Sequence, residues 1–144
     1  MSPKKMNGFS LLELIVVMVI AGLLAGIAYP SYQQHIQKSK RALGRVAVLH
    51  VMQQQERYMT QYNTYKEFIP NSTEETAFKT YAGDQRHTAL YHIGAKKCTG
   101  HSTPQSCIEV YAIPTFSDPD IGWISLTSQG QKSCSQAPAA TCWN

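Results

Sequence analysis

Cys98, Cys107, Cys134 and Cys142 are the side chains best equipped for covalent or metal chemistry, and all four lie in the C-terminal part of the 144-residue chain. Four cysteines allow three pairings into two disulfides. The local pairs, Cys98–Cys107 and Cys134–Cys142, are favoured, because each closes a short loop rich in Ser, Thr, Pro, Gly or Ala that bends readily. Two disulfides imply an oxidising compartment. A zinc reading of Cys98, His101 and Cys107 supplies three ligands and no fourth. The five histidines show no pair at metal spacing, and His50, on an apolar helical stripe, reads as a partly buried histidine. Asp118 and Asp120 are too few for calcium, and with Pro119 between them they read as a turn. Neither G-x-S-x-G nor G-x-x-x-x-G-K-[ST] occurs. No catalytic residue, resident metal or cofactor is expected; the chain reads as a structural component and not an enzyme.

The remaining unusual group is Glu13. From Phe9 to Tyr29 only Ser10 and Glu13 are clearly polar. At about 1.5 Å per residue this segment spans roughly 30 Å, one hydrocarbon core. A carboxylate there costs about 2.5–3.5 kcal/mol when unpaired. A cleavable signal peptide, ending at the small-x-small stretch Gly26-Ile27-Ala28, leaves Glu13 unexplained, and so does a plain membrane anchor. Cleavage between Gly8 and Phe9 explains it. The new α-amine of Phe9 is positive near neutral pH and lies one helical turn from Glu13. A neighbouring subunit shifted along an assembly axis brings its own Phe9 amine against the same carboxylate. Lys4 and Lys5 hold the N-terminus in the cytoplasm, whereas Lys38, Lys40, Arg41 and Arg45 argue the opposite orientation. The cysteines decide for a C-terminal part outside the cytoplasm. The net charge of +4, half of it from Lys4 and Lys5, is too small by itself to imply nucleic-acid binding.

Gly8-Phe9-Ser10-Leu11-Leu12-Glu13, continuing in register through the apolar run to Tyr29-Pro30-Ser31-Tyr32, resembles the class III leader junction of type IV pilins and pseudopilins. The resemblance implies a leader at residues 1–8, removed by a prepilin peptidase that cuts after Gly8 and methylates Phe9. It implies a hydrophobic transmembrane and assembly helix at 9–31 and a globular head at 32–144. Phe9, Glu13, Gly22 and Pro30 are its assembly residues. Gly22 and Gly26 form a small-xxx-small pair that permits close helix approach. Pro30 removes a helical donor, and in filaments the family implies a partly unwound segment between Gly22 and Pro30. Further on, Glu56-Arg57-Tyr58, Asn63-Thr64-Tyr65, Leu126 to Gly130 and Cys142-Trp143 resemble PilE-like type IV minor pilins. Cys134–Cys142 matches the position of the C-terminal disulfide-bounded region of pilins, whereas the Cys98–Cys107 segment departs from the family pattern.

These groups need elements to position them. Past Pro30 a helical pattern resumes and should fade near Tyr62-Asn63-Thr64. Ile36, Leu43, Ala47 and His50 share one face, and Val48, Met52 and Met59 nearly the opposite one. One stripe should pack on a sheet and the other meet partner subunits. Lys38, Arg41 and Arg45 share a face that reads as solvated or facing membrane headgroups in preference to a DNA contact, or as paired with an anionic neighbour such as an acid of the next subunit. Residues 65–86 read as a connecting loop; the Asn71-Ser72-Thr73 sequon there is a short match. Strands are expected at Leu90–Ala95, Cys107–Phe116 and Trp123–Thr127. The expected class is α+β: a type IV pilin fold, with a long N-terminal helix whose second half packs on a C-terminal antiparallel meander.

The expected function is that of a minor pilin supporting pilus biogenesis, twitching motility, adhesion or DNA uptake. Its partners would be other pilins, the prepilin peptidase and the inner-membrane assembly machinery. It would sit in the bacterial inner membrane with a periplasmic head before assembly, and in an extracellular pilus afterwards. The alternatives are a DNA-binding minor pilin acting in natural transformation and a type II secretion pseudopilin. For DNA binding the head offers Lys79, Arg86, Lys96, Lys97, His101 and Lys132, some converging with Tyr or Trp side chains.

Overall fold

The computed structural model describes residues 10–73 and 77–143, so the junction at Gly8 and Phe9 lies outside the described residues. Helix α1 runs from Leu11 to Tyr62, and the chain divides into two units after Lys38.

In the first unit the helix is long and apolar enough to cross a membrane, with a mean hydropathy of 2.7 over its most apolar window and none of that window buried. The leucine, isoleucine and valine side chains from Leu11 to Ile27 are all exposed. Glu13 lies in the first turn, where the unsatisfied amide groups favour a negative charge. A Cβ added at Gly22 or Gly26 would meet nothing within 4 Å, so this face is open for a neighbour. The helix continues through Pro30 in the isolated chain.

In the second unit α1 buries Gly44, Val48, Val51, Met52 and Gln55. The buried stripe is therefore that of Val48 and Met52. Leu43 and His50, from the other stripe, stay exposed, as do Val46 and Leu49. His50 is thus a surface residue; the packed face of the helix lies on the far side of its turn. Asn63 takes a positive φ of 57° and its N–H returns to Met59 O, which ends the helix.

Five antiparallel strands follow in sequence order: β1 (Tyr81–Ala82), β2 (Tyr91–Lys97), β3 (Ile108–Pro114), β4 (Ile124–Thr127) and β5 (Lys132–Cys134). A 3-10 turn at Arg86–Thr88 precedes β2, and a short helix α2 (Ala139–Cys142) follows β5. The three expected strands are all present. The outer two carry no strand signal, because β1 is two residues long within a polar loop and β5 is three residues long with Cys134 as its single apolar side chain. Alternation sets the faces. Ile93 pairs with Ala112, Ala95 with Val110, and Val110 with Leu126 on the core side. His92, Gly94, Lys96, Glu109, Tyr111 and Ser125 share the other face through their cross-strand pairings. Val48, Val51 and Met52 join Phe68, Phe78, Tyr91, Ile93, Ile108, Val110, Ile124 and Leu126 in one core cluster. Full burial of such a side chain stabilises by about 1.5–3 kcal/mol.

Three polar side chains of α1 brace this core. Gln55, fully buried, donates from Nε2 to Lys66 O at 2.6 Å and accepts from Lys66 N at 3.0 Å, so it replaces a missing backbone partner for the loop after α1. Arg41 donates to both oxygens of Asp118, at 2.8 and 2.5 Å, and to Asp120 at 2.9 Å. Arg45 donates to Cys142 O at 3.1 Å. Arg41 and Arg45 therefore serve their own head; the solvated or intersubunit reading fails for them because the β3–β4 turn and α2 reach the helix. Asp118 and Asp120 are committed to the guanidinium.

The Arg41 hydrogen bond holds the Asp118 carboxyl below the ordinary aspartate range against the opposing effect of burial. A carboxyl with a lowered folded-state value stabilises above its unfolded value and loses that contribution as pH falls through the folded one. Asp118→Asn should cost about 2 kcal/mol at pH 7 and flatten the loss of stability between about pH 5 and pH 2. Thermal melts of both proteins across that range check this. An acid limb identical to that of the parent would remove the pair from the stability of the head.

Candidate assembly helix and nucleic-acid interface

Of the expected assembly residues, Glu13, Gly22 and Pro30 lie on the exposed apolar helix, and Phe9 is outside the described residues. Among the described residues, none of the most apolar window of this helix is buried. The covalent and basic residues of the head are arranged differently. Cys98 bonds to Cys107 and Cys134 to Cys142, which leaves no free cysteine among the described residues. The zinc reading of Cys98 and Cys107 therefore has no thiolates to use. No group of three His, Cys, Asp or Glu side chains among the described residues could hold a metal ion.

The first disulfide sits one step past the last β2–β3 pair, Lys97 with Ile108, where Cys98 N donates to Cys107 O at 3.2 Å. It closes a hairpin of exposed polar residues. His101 Nδ1 lies 3.1 Å from Ser106 Oγ, which donates to Thr103 O at 2.9 Å. The β4–β5 turn reaches the same end of the sheet, since Ser128 N donates to Ile108 O at 2.9 Å. So does the loop after α1, through Lys97 N donating to Glu67 Oε1 at 2.7 Å. This end carries Lys66, Lys96, Lys97, Lys132 and His101. Lys66, Lys96, Lys97 and Lys132 are exposed. The carboxylates closest in the pairing scheme are Glu67 and Glu109; Glu109 lies 3.4 Å from Lys96.

Aromatic rings interleave with these cations. Lys96 Nζ is 5.3 Å from the Tyr111 ring and Lys132 Nζ is 5.2 Å from the Trp143 ring. The Trp143 indole also donates to Ser133 O at 3.3 Å. Tyr111 lies across Gly94, where an added Cβ would come within 2.7 Å of the ring; only glycine fits there. Burial and the Glu109 charge push the Tyr111 phenol up, so it remains a neutral hydroxyl.

Six residues, five lysines and arginines with His101, were expected to contribute, and the structure separates them. Lys96, Lys97, His101 and Lys132 meet at one end. Lys79 and Arg86 flank the Tyr81 ring, at 5.3 and 5.7 Å, beside the opposite end of β2. The five strand steps from His92 to Lys97 span roughly 17 Å. Lys66 and Tyr111 were missed. Lys66 had no signal, being a loop lysine whose place depends on Gln55; Tyr111 could have been found from its alternation with Val110 and Ala112.

A family model described as "Type IV minor pilin ComP, DNA uptake sequence receptor" matches residues 30–136, and a "Prokaryotic N-terminal methylation motif" matches residues 3–29. Fimbrial protein Q of Moraxella bovis is 50% identical over 43 residues, 28% of this chain and 27% of that protein. Fimbrial protein EcpB of Eikenella corrodens is 50% identical over 36 residues, 25% and 23% of the two chains. The match thus spans about a quarter of the length of these relatives. A type IV pilin from Shewanella oneidensis has a TM-score of 0.46 at 20% identity, covering 74% of this chain and 97% of that one. The Neisseria meningitidis non-core minor pilin PilV has a TM-score of 0.46 at 21% identity, covering 72% and 90%.

Replacing both Cys98 and Cys107 by alanine should lower head stability by about 2.5 kcal/mol, the loop-closure entropy of so short a ring. The β2–β3 ladder should survive, because its pairs do not need the sulfur bridge. Thermal melts give the first quantity and amide exchange of Lys96 and Glu109, which face each other across the ladder, the second; loss of protection at both would show that the bridge holds the ladder together.

Proposed function

The chain belongs to the ComP family of type IV minor pilins, and from that premise we propose that its head binds DNA for uptake while its N-terminal helix joins it to a pilus. The family is one of pilin subunits and not of enzymes.

The assembly half of the proposal rests on the apolar, uncovered helix with Glu13 in its first turn. Cleavage after Gly8 and methylation of Phe9 by a prepilin peptidase would create the ammonium that Glu13 of a neighbouring pilin meets. Before assembly the helix lies in the bacterial inner membrane with the head in the periplasm. The inner-membrane pilus machinery then draws it into an extracellular fibre. The exposed stripe of Leu43, Val46 and Leu49 supports further contact with sibling pilins.

The DNA half rests on one observation: Lys66, Lys96, Lys97, Lys132 and His101 gather at one end of the sheet around a disulfide-closed hairpin. Lysines in that arrangement neutralise phosphates and release counterions. The exposed hydroxyl and amide groups of residues 99–106, with the half-buried His101 beside them, are suited to hydrogen-bonding base edges, which phosphate contacts alone do not read.

Mass spectrometry of the exported protein should find a methylated Phe9 at its start. Glu13→Ala should still be processed but enter pili poorly; normal incorporation would remove the charge pair from the mechanism. For the head, fluorescence anisotropy of the full chain in uncharged micelles should register duplex binding that weakens about a hundredfold from 50 to 200 mM salt, as expected for about four phosphate contacts. Lys96→Ala with Lys97→Ala should reduce the salt slope by about two. No binding at low salt rejects the DNA reading and leaves the pilin reading intact.

A further inference from the structure

A second basic feature lies outside the end just described. The 3-10 turn at Arg86–Thr88, the start of β2 and the residue after β3 surround an open hollow of about 700 Å³, lined by Asn71, Arg86, His87, Thr88, His92 and Thr115 among others. Among the described residues none that lines it is acidic, whereas Asp84 lines a different, apolar hollow beside it.

Arg86 is set in place before any ligand arrives. Its Nη1 donates to Asn71 O at 2.9 Å and to Ser72 O, while its guanidinium carbon lies 5.7 Å from the Tyr81 ring. Both of those hydrogen bonds leave from one nitrogen, so the edge bearing Nε and Nη2 takes no part in them. A planar guanidinium held in this way presents a two-pronged donor edge that matches a tetrahedral oxyanion. His92 enters from the sheet, on the same face as Tyr81 by its pairing in the ladder, and is half-buried. His87 and the Asn71 amide supply further donors from the turn and the loop. The hydroxyls of Thr88 and Thr115 already donate to Gln85 O and Ala89 O, at 3.4 and 2.8 Å, which steadies the walls.

We propose that this hollow is a phosphate-binding site, with Arg86 as the bidentate donor and His87, His92 and Asn71 completing the cradle. The group bound is a phosphate or phosphate ester. A nucleic-acid backbone, a lipid headgroup and free phosphate all present it. The site goes beyond the DNA reading and does not require it: it lies about 17 Å along β2 from Lys97.

The test uses the full ¹⁵N-labelled chain in uncharged micelles at pH 7, titrated with sodium phosphate and, separately, with sodium chloride at matched ionic strength. Phosphate should shift the Thr88, Ala89, His92 and Thr115 amides saturably, and chloride should not. His92→Gln, which leaves the Arg86 hydrogen bonds intact, should weaken phosphate about fivefold, and Arg86→Gln should weaken it at least about tenfold. Equal shifts with chloride, no saturable shift, or undiminished binding by both variants would overturn the proposal. Competition separates the sources. A duplex without terminal phosphates that displaces bound phosphate assigns the site to a nucleic-acid backbone, and displacement by phosphatidylglycerol vesicles assigns it to a headgroup. Saturable binding that neither displaces assigns it to free phosphate. Lys96→Ala with Lys97→Ala should leave phosphate binding unchanged, so a failed DNA reading and a failed phosphate site give different results.

Discussion

The head depends on how closely α1 approaches β2. At Gly44 an added Cβ would lie 2.7 Å from the Tyr91 ring and 3.0 Å from Ile124, so the helix backbone rests directly on two sheet side chains. A glycine inside a helix costs roughly 0.5–1 kcal/mol relative to alanine; here it removes the atom that would hold helix and sheet apart. Once this contact is made, Val48, Val51 and Met52 fall onto the same surface and Gln55 reaches the loop beyond the helix. Tyr91 is buried and packs edge-on against Phe116, with ring centroids 5.4 Å apart. Burial pushes its phenol up to about 12, so it stays neutral in the core.

Polar contacts finish what this approach begins. Arg41 ties the β3–β4 turn to the helix through two carboxylates, and Arg45 holds the carbonyl of Cys142. The two disulfides sit in the two outlying loops, the β2–β3 hairpin and the C-terminal segment. Cys142 is itself part of the core cluster and Cys107 is buried, so each bridge ties a solvent-facing segment to the packed interior and limits its unfolded freedom. The residues that face solvent there can therefore be polar, as a surface that meets other molecules requires.

This division of labour suits a filament subunit. An apolar helix without cover is a liability in water, tolerable in lipid or when wrapped by identical neighbours. The head carries Lys96 and Lys132 on strands, and Lys79 and Arg86 on the segments before β2. Cations fixed beside Tyr81, Tyr111 and Trp143 lose less freedom on meeting an anion than cations on mobile tails.

The helix, the apolar run with its single carboxylate and the three longer strands were legible in the sequence, because hydrophobic period and length act locally. So were the stripes at Val48 and Met52 and at Leu43 and His50, though periodicity could not say which one the sheet would cover. β1 and β5 carry no alternation of their own; they form because β2 and β4 offer them unpaired edges. The partner of Asp118 is likewise invisible in the chain order, lying 77 positions away in Arg41. Sequence by itself determined the long helix, the three longer strands and which side chains share a face, because these follow from local period and length. Tertiary structure alone decided which cations meet, which acids they are spent on and which remain for a ligand, because electrostatic partnership depends on distance through space and not on distance along the chain.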